Sequence, residues 1–186
     1  MPPSMPSYPP LDDDEWPAAI AELRSGFAGR LNVYRVLAHR PELVRAWSDF
    51  RNHVVVETAL GRQFSEVVIL RTGHAMEAPY EWAHHVVRGR ACGLDDARIA
   101  SLRGPLDAML PEDAVLAEAV DALLAGGTLS GRQQRDVVEL VSTEGLFDLM
   151  ATVAHYVFLA FIVKSFDVPI DEDIAAELQR NPPPEA

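Results

Sequence analysis

Apolar residues recur at spacings of three and four along most of the chain, the period of helices buried on one face. "DDDEWPAAIAELRSG" opens on acids, keeps helical apolar spacing and stops at glycine, so it predicts a helix. "RLNVYRVLAHRPELVRAWSDFRNHVVVETALG" predicts a short helix ending near Arg40 and a longer one opened by Pro41 and closed near Gly61. Proline suits the first helical turn, where its missing N–H is not needed. Apolar "SEVVILRTGHAM" follows, then "PYEWAHHVVRGRACG", started by Pro79 and stopped at Gly93. "LDDARIASLRG" takes Asp95 or Asp96 as its N-cap. "PEDAVLAEAVDALLAGG" and "SGRQQRDVVELVSTEGLFDLMATVAHYVFLAFIVKSF" add two helices. No segment alternates with period two between hairpin turns, and the β-branched run in "HVVVETAL" continues a helical period. The predicted fold class is all-α.

One regularity organises these helices. "GRQFSEVVIL" (61–70) and "GRQQRDVVEL" (131–140) agree at six of ten positions, with Glu66 opposite Asp136. The same offset of 70 sets His85 opposite His155. Two copies of one helical unit, stacked with pseudo-symmetry, account for both coincidences. Unit one covers about residues 30–102 and a degenerate unit two about 105–170, inside one helical domain over 12–180. Eight of the 14 prolines fall in the flanking tails, 1–11 and 181–186, which are expected to be disordered or extended. The copies are unequal: Pro79-Tyr80-Glu81-Trp82 in the first is Leu149-Met150-Ala151-Thr152 in the second. Unit one has kept the polar chemistry.

Composition limits what this bundle does. With 186 residues, 48% of them apolar, the chain has room for one domain with a sizeable core. The formal charge is −12, and apart from Lys164 the basic residues are scattered arginines, so neither nucleic acid nor an anionic membrane is an expected partner. The longest apolar stretch, Thr152 to Val163, carries His155 and is too short for a membrane span. The N-terminus has no basic segment followed by an apolar one, so no export signal is read and the cytoplasm is expected. Cys92 is the only cysteine, which excludes an internal disulfide, a CxxC pair and a cysteine-rich zinc site. No GxGxxG, P-loop or GxSxG pattern occurs, so no nucleotide cofactor or serine-hydrolase elbow is expected.

The candidate chemistry is concentrated in "MEAPYEWAHH", residues 76–85. With Pro79 as the first helical residue, Glu81 and His85 lie four apart on one face, and Tyr80 and His84 form a second such pair. A carboxylate against an imidazole sets the tautomer and raises its basicity, which serves proton transfer near neutral pH. Tyr80 near the helix start is placed to donate to a developing oxyanion, and the free N–H groups there favour an anionic ligand. Glu66 sits among residues that should be buried, and a buried carboxylate needs a partner. Trp82 and His84 are the candidate substrate contacts. The plainer alternatives are an exposed Glu–His pair, a helix-bridging Glu66, Trp82 packed in the core or a subunit interface, and a solvent-facing or interfacial His84. Glu81-x-x-His84 also has the spacing of a di-iron helix motif, which needs a second ExxH and two further glutamates on facing helices, but neither copy supplies another acid three residues before a histidine, so no metal is expected.

An acid in an apolar helix ("SEVVILRTGHAM"), a polar helix start, a histidine 19 positions after the acid and then "ACGLDDARI" resemble the carboxymuconolactone decarboxylase-like superfamily, which includes alkylhydroperoxidase D (AhpD). "LNVYRVLAHRPELVRAW" resembles the leader of such proteins, and "YEW..H" resembles a cysteine-free branch. The resemblance implies an all-helical AhpD-like fold assembled as a homotrimer or hexamer. It implies that Glu66 and His85 stand where the peroxidase branch relays protons, and that Ala78 and Glu81 stand where that branch has its two thiols. Thiol-based peroxide reduction is therefore not expected, with a peroxidase working through Cys92 between subunits as a remote third reading. The leading expectation is a cofactor-independent, lyase-type acid–base enzyme acting on a small, anionic, oxygenated substrate such as a lactone or keto acid. His85 moves the proton, Glu81 or Glu66 orients it, and Tyr80 stabilises the oxyanion. The alternative is a non-catalytic oligomeric scaffold or small-molecule-binding protein.

Overall fold

The computed structural model describes residues 7–184, and no strand occurs among them. A 3₁₀ segment (Ala18–Leu23) leads into α1 (Asn32–Leu37), α2 (Pro41–Asn52), α3 (Gly61–Ala75), α4 (Pro79–Ala91), α5 (Asp96–Ser101), α6 (Pro111–Gly126), α7 (Gly131–Ser165) and α8 (Glu172–Arg180). Prolines open α2, α4 and α6. Asp95 caps α5 by accepting the Arg98 N–H at 2.8 Å, and Ser130 with Gln133 forms a reciprocal capping box at the start of α7. Gly93 and Gly127 end α4 and α6 with φ of 93° and 69°, a conformation a side chain would strain.

Four local features depart from the sequence expectations. The first segment is not a regular helix: the Trp16 indole N–H donates to the Ile20 carbonyl, and Ile20 leaves helical geometry. The helix opened by Pro41 stops at Asn52 and passes into one π-helical turn, His53–Glu57. Asp148 on α7 holds that turn, facing His53 Nε2 at 2.8 Å and accepting the Ala59 N–H at 2.6 Å. The long last helix is broken at Ser142 (φ 77°, ψ 175°). Helix α8 was not anticipated. In the N-terminal tail, residues 1–6 lie outside the described residues, while Leu11 is buried in the core and Tyr8 packs edge-on to His39. Residues 185 and 186 of the other tail are likewise outside them.

Helix α3 is central and packs against α4, α6 and α7. Its residues divide between two apolar clusters. Ile69 joins one built from α1, Tyr80, Tyr156 and the N-terminal segment, and Val67, Val68 and Leu70 join another built from Ile99, Leu102, Leu116 and Leu149. Burying each such aliphatic side chain contributes about 1.5–3 kcal/mol. Helix α4 folds back on α3 after three residues, and Gly73 permits the close approach: a Cβ there would stand 3.3 Å from the Glu81 Cβ. The polar residues of α3 and α4 therefore meet at the seam between the clusters.

Candidate functional site

Glu66 on α3 and His85 on α4 are joined at that seam, His85 Nδ1 lying 2.6 Å from Glu66 Oε2. An ionised carboxylate only accepts, so Nδ1 carries the hydrogen and Nε2 is left with its lone pair. Nε2 faces Glu81 Oε2 at 3.8 Å, beyond hydrogen-bond length, and Glu81 Oε1 is buried with no partner. Burial pushes the His85 imidazole below its ordinary range, against the opposing pull of Glu66. Burial likewise pushes Glu81 up to about 8, Arg88 offsetting only part of it. The neutral forms of His85 and Glu81 are thus the resident ones near neutral pH. The Tyr156 ring meets His85 edge-on at 5.0 Å and fixes the plane of the imidazole.

The pair lines a pocket of about 290 Å³ between the π-helical turn, α3, α4 and α7. Val54, Val56 and Ile69 give it apolar walls, and Glu66, His85, Arg88, Ser65, Tyr156 and Cys92 bring polar or nucleophilic atoms to it. Among the described residues Arg88 has no carboxylate within ion-pair distance, although its helix carries Glu81. The Ser65 hydroxyl is buried without a hydrogen-bond partner. A half-buried cation with no carboxylate partner and a buried hydroxyl with no hydrogen bond, beside an apolar wall, suit a small anion with an organic body.

The remaining sequence candidates stand elsewhere. The Tyr80 hydroxyl donates to Asp171 Oδ2 at 2.5 Å and accepts the Val33 N–H at 3.3 Å, so its proton is committed and it does not reach the pocket as an oxyanion donor. His84 is buried, which corrects the solvent-facing alternative: its Nδ1 faces the Tyr80 carbonyl and its Nε2 the same Asp171 oxygen, each at 2.8 Å. Both ring nitrogens are thus occupied by protein partners, and the ring stacks on Tyr80 at 4.0 Å. Burial alone would push Asp171 up, but the hydrogen bonds from His84, Tyr80 and Asn32 N–H outweigh it and hold the carboxyl low. Glu81 and His84 thus do not converge on a common point, despite their spacing. Trp82 lines a separate pocket of about 560 Å³ with His74 and Arg103, whose guanidinium lies 5.0 Å over the indole. Cys92 is a lone thiol on the wall of the first pocket.

Arg88, Ser65 and Tyr156 were missed. Arg88 was within reach of periodicity, since 81, 85 and 88 share one helix face. Tyr156 adjoins the repeat histidine, but only the packing of α7 brings its ring to His85. Asp171 had no signal, because α8 closes on α4 from 87 residues away.

Residues 41–128 match the carboxymuconolactone decarboxylase family. The debrominase Bmp8 in complex with 2,3,4-tribromopyrrole superposes with a TM-score of 0.73 at 14% identity, over 95% of this chain and 98% of that one. An alkylhydroperoxidase AhpD core protein from Ralstonia eutropha JMP134, described as peroxidase-related, gives a TM-score of 0.72 at 14% identity over 91% and 96%. A peroxidase-related protein from Silicibacter sp. TM1040 gives 0.72 at 12% identity over 92% and 96%. No curated protein sequence matches the chain. With the all-helical architecture these likenesses define an AhpD-like fold. The chain is thus similar to the carboxymuconolactone decarboxylase/AhpD-like superfamily, through a family match over residues 41–128 and an AhpD-like fold over its length.

Proposed function

We propose that the chain is a cofactor-independent acid–base enzyme acting on a small, anionic, oxygenated molecule, by decarboxylation, elimination or isomerisation of a lactone or keto acid. The observation that carries this reading is the buried Glu66–His85 pair, 2.6 Å apart on the wall of a pocket that also holds Arg88 without a carboxylate partner. Arg88 and the Ser65 hydroxyl anchor the substrate's anionic end, and the valine wall receives its apolar face. Only Oε2 of Glu66 is engaged by His85, so Oε1 is the oxygen available to exchange a proton with the substrate, and His85 relays behind it. This revises the roles expected from sequence, where His85 moved the proton, Glu81 or Glu66 oriented it and Tyr80 stabilised the oxyanion. The volume suits a single substituted ring, and the superfamily fold accommodates 2,3,4-tribromopyrrole in Bmp8.

No pair of thiols supports peroxide chemistry: Ala78 and Glu81 occupy the positions the resemblance gives to them, and Cys92 stands alone. We further propose a soluble, cytoplasmic homo-oligomer, a trimer or hexamer. In support, Phe147, Met150, Ala154, Val157 and Phe161 form an uncharged stripe along α7 at helical spacing, with Phe147 and Phe161 more than half exposed in the single chain. Half of the most apolar window of α7 is buried in the fold, as befits a core helix.

The test is a thermal-shift and turnover screen of small lactones, keto acids and aromatic acids on wild type, Arg88→Met and His85→Ala. A ligand at 100 times its dissociation constant adds about 2.7 kcal/mol, a shift such a screen reads easily. The reading expects a compound that stabilises wild type, loses that effect in Arg88→Met, and binds but is not turned over in His85→Ala. Equal shifts in all three proteins place binding elsewhere and overturn it. Binding that needs Arg88 without turnover in wild type establishes the non-catalytic binding protein instead.

A further inference from the structure

We infer that Glu81 is a sealed proton store that feeds Glu66, and through it the pocket, by way of the two nitrogens of His85. The inference rests on the acid–base reading above and adds a residue that never touches the pocket.

The geometry is directional. Glu66 Oε2 takes the Nδ1 hydrogen, so the Nε2 lone pair points the other way, toward Glu81. Glu81 is 3% exposed and absent from the pocket wall, and among the described residues neither of its oxygens has a hydrogen-bond donor. It shares with His85 a separate cavity of about 10 Å³, the least that takes one water. The 3.8 Å gap between Glu81 Oε2 and Nε2 closes through such a water or a small side-chain shift. The other groups around this cavity are the Arg88 guanidinium, the phenols of Tyr34, Tyr80 and Tyr156, and His84. The phenols of Tyr34, Tyr80 and Tyr156 are held protonated, above all by burial. His84 is committed to Asp171 and the Tyr80 carbonyl. Glu81 is therefore the one acid here with an exchangeable proton and no other bond to keep it.

The step balances with one proton moved. The Glu81 O–H bond breaks as a hydrogen forms on Nε2, the Nδ1–H bond breaks as Glu66 is protonated, and His85 ends as the Nε2–H tautomer. Glu81 becomes the carboxylate and Glu66 the acid with its new proton on Oε2, and rotation of the carboxyl turns that proton to the pocket side to protonate a carbanion or enolate. After product release Glu66 takes a proton from water entering the pocket, and reversal of the two transfers returns it to Glu81 and resets the wire.

The test uses the ligand-free protein, so it is separable from the substrate screen. Infrared spectra of wild type against pH should show the carbonyl stretch of a protonated, buried carboxylic acid at neutral pH, disappearing near pH 8, where burial sets Glu81. That band should be missing in Glu81→Gln and retained in Glu66→Gln. Nitrogen-15 spectra of wild type, which need no variant to fold, should show His85 protonated at Nδ1 and bare at Nε2. No titrating band in wild type, a band unchanged in Glu81→Gln, or His85 protonated at Nε2 or at both nitrogens would overturn the proposal. A band and tautomer as expected, with no turnover of any substrate, leaves the store standing and removes the enzyme reading instead.

Discussion

In the first copy of the repeated motif, Glu66 reaches His85 at 2.6 Å and the pair lines a pocket. In the second, Asp136 pairs with Arg132 at 2.7 Å, and His155 is buried with neither ring nitrogen partnered, stacked on Trp47 at 4.7 Å. The residue types are preserved and the chemistry is not. Three residues, Met76 to Ala78, turn α4 back onto α3, whereas α7 changes course at Ser142 alone. Gly73 admits the close approach, and the residue 70 positions on is Thr143. An acid and a histidine 19 apart in sequence form a dyad only when a hairpin brings them together. The connection decides this, not the pair.

The largest difference should appear in turnover. His85→Ala removes the relay and should lower kcat by about 10²–10⁴-fold, the usual worth of a positioned acid–base group. His155→Ala should leave kcat within about twofold, since its ring has no polar contact to lend. Equal losses in the two variants would mean that unit two still takes part in the chemistry.

Stability against pH should separate the copies in opposite directions. Glu81 ordinarily titrates at 4.5 and is raised to about 8 by burial, so between those values the fold keeps a proton that the unfolded chain gives up. Its contribution is complete below pH 4.5 and is lost as pH rises to 8. Burial, then Arg51, depresses His155 from 6.5 to about 3, so its contribution is complete above pH 6.5 and is lost as pH falls to 3. Each limb amounts to about 5 kcal/mol. Urea midpoints across pH should show Glu81→Gln flattening the alkaline limb and His155→Phe the acid one. A limb that stays steep in its own variant belongs to another group.

A smaller loss is expected from the cluster that supports unit one from outside the repeat. Asp171→Asn weakens the acceptor that takes Tyr80, His84 and the Asn32 N–H at once, and should cost about 2–4 kcal/mol by denaturant unfolding. A loss under about 0.5 kcal/mol would show that Asp171 only fills space.

The sequence showed the helices where proline, glycine and apolar period agree, as at Pro79 and Gly93 for α4. It singled out Glu66 and His85, each through its counterpart in the repeat and both through the resemblance, but its residue spacing offered Glu81 as the partner of His85. It hid whatever depends on which way a side chain turns or on contacts between distant segments. Tyr80 reads as a free phenol until α8 brings Asp171 to it. His84 reads as surface until the same carboxylate buries it. The π-helical turn reads as continuing helix, since three valines carry helical period without revealing that Asp148 pulls the backbone aside.

The least effect should come from the break that distinguishes the copies. Ser142 has φ 77° and ψ 175°, a region open in practice only to glycine, whereas Glu77, in the turn of unit one, has the smaller positive φ of 49°. Ser142→Gly relieves strain worth about 1–3 kcal/mol, but adds freedom to the unfolded chain worth about 0.4–1 kcal/mol. It also loses the Oγ contacts with Gly145 N–H and Glu144. The net should be a gain of about 1 kcal/mol in Ser142→Gly and close to nothing in Glu77→Gly. Unfolding midpoints of the two variants measure it directly. A larger gain at Glu77 would put the greater strain in the hairpin that builds the site, and the break in α7 would no longer be the costlier way to connect two helices.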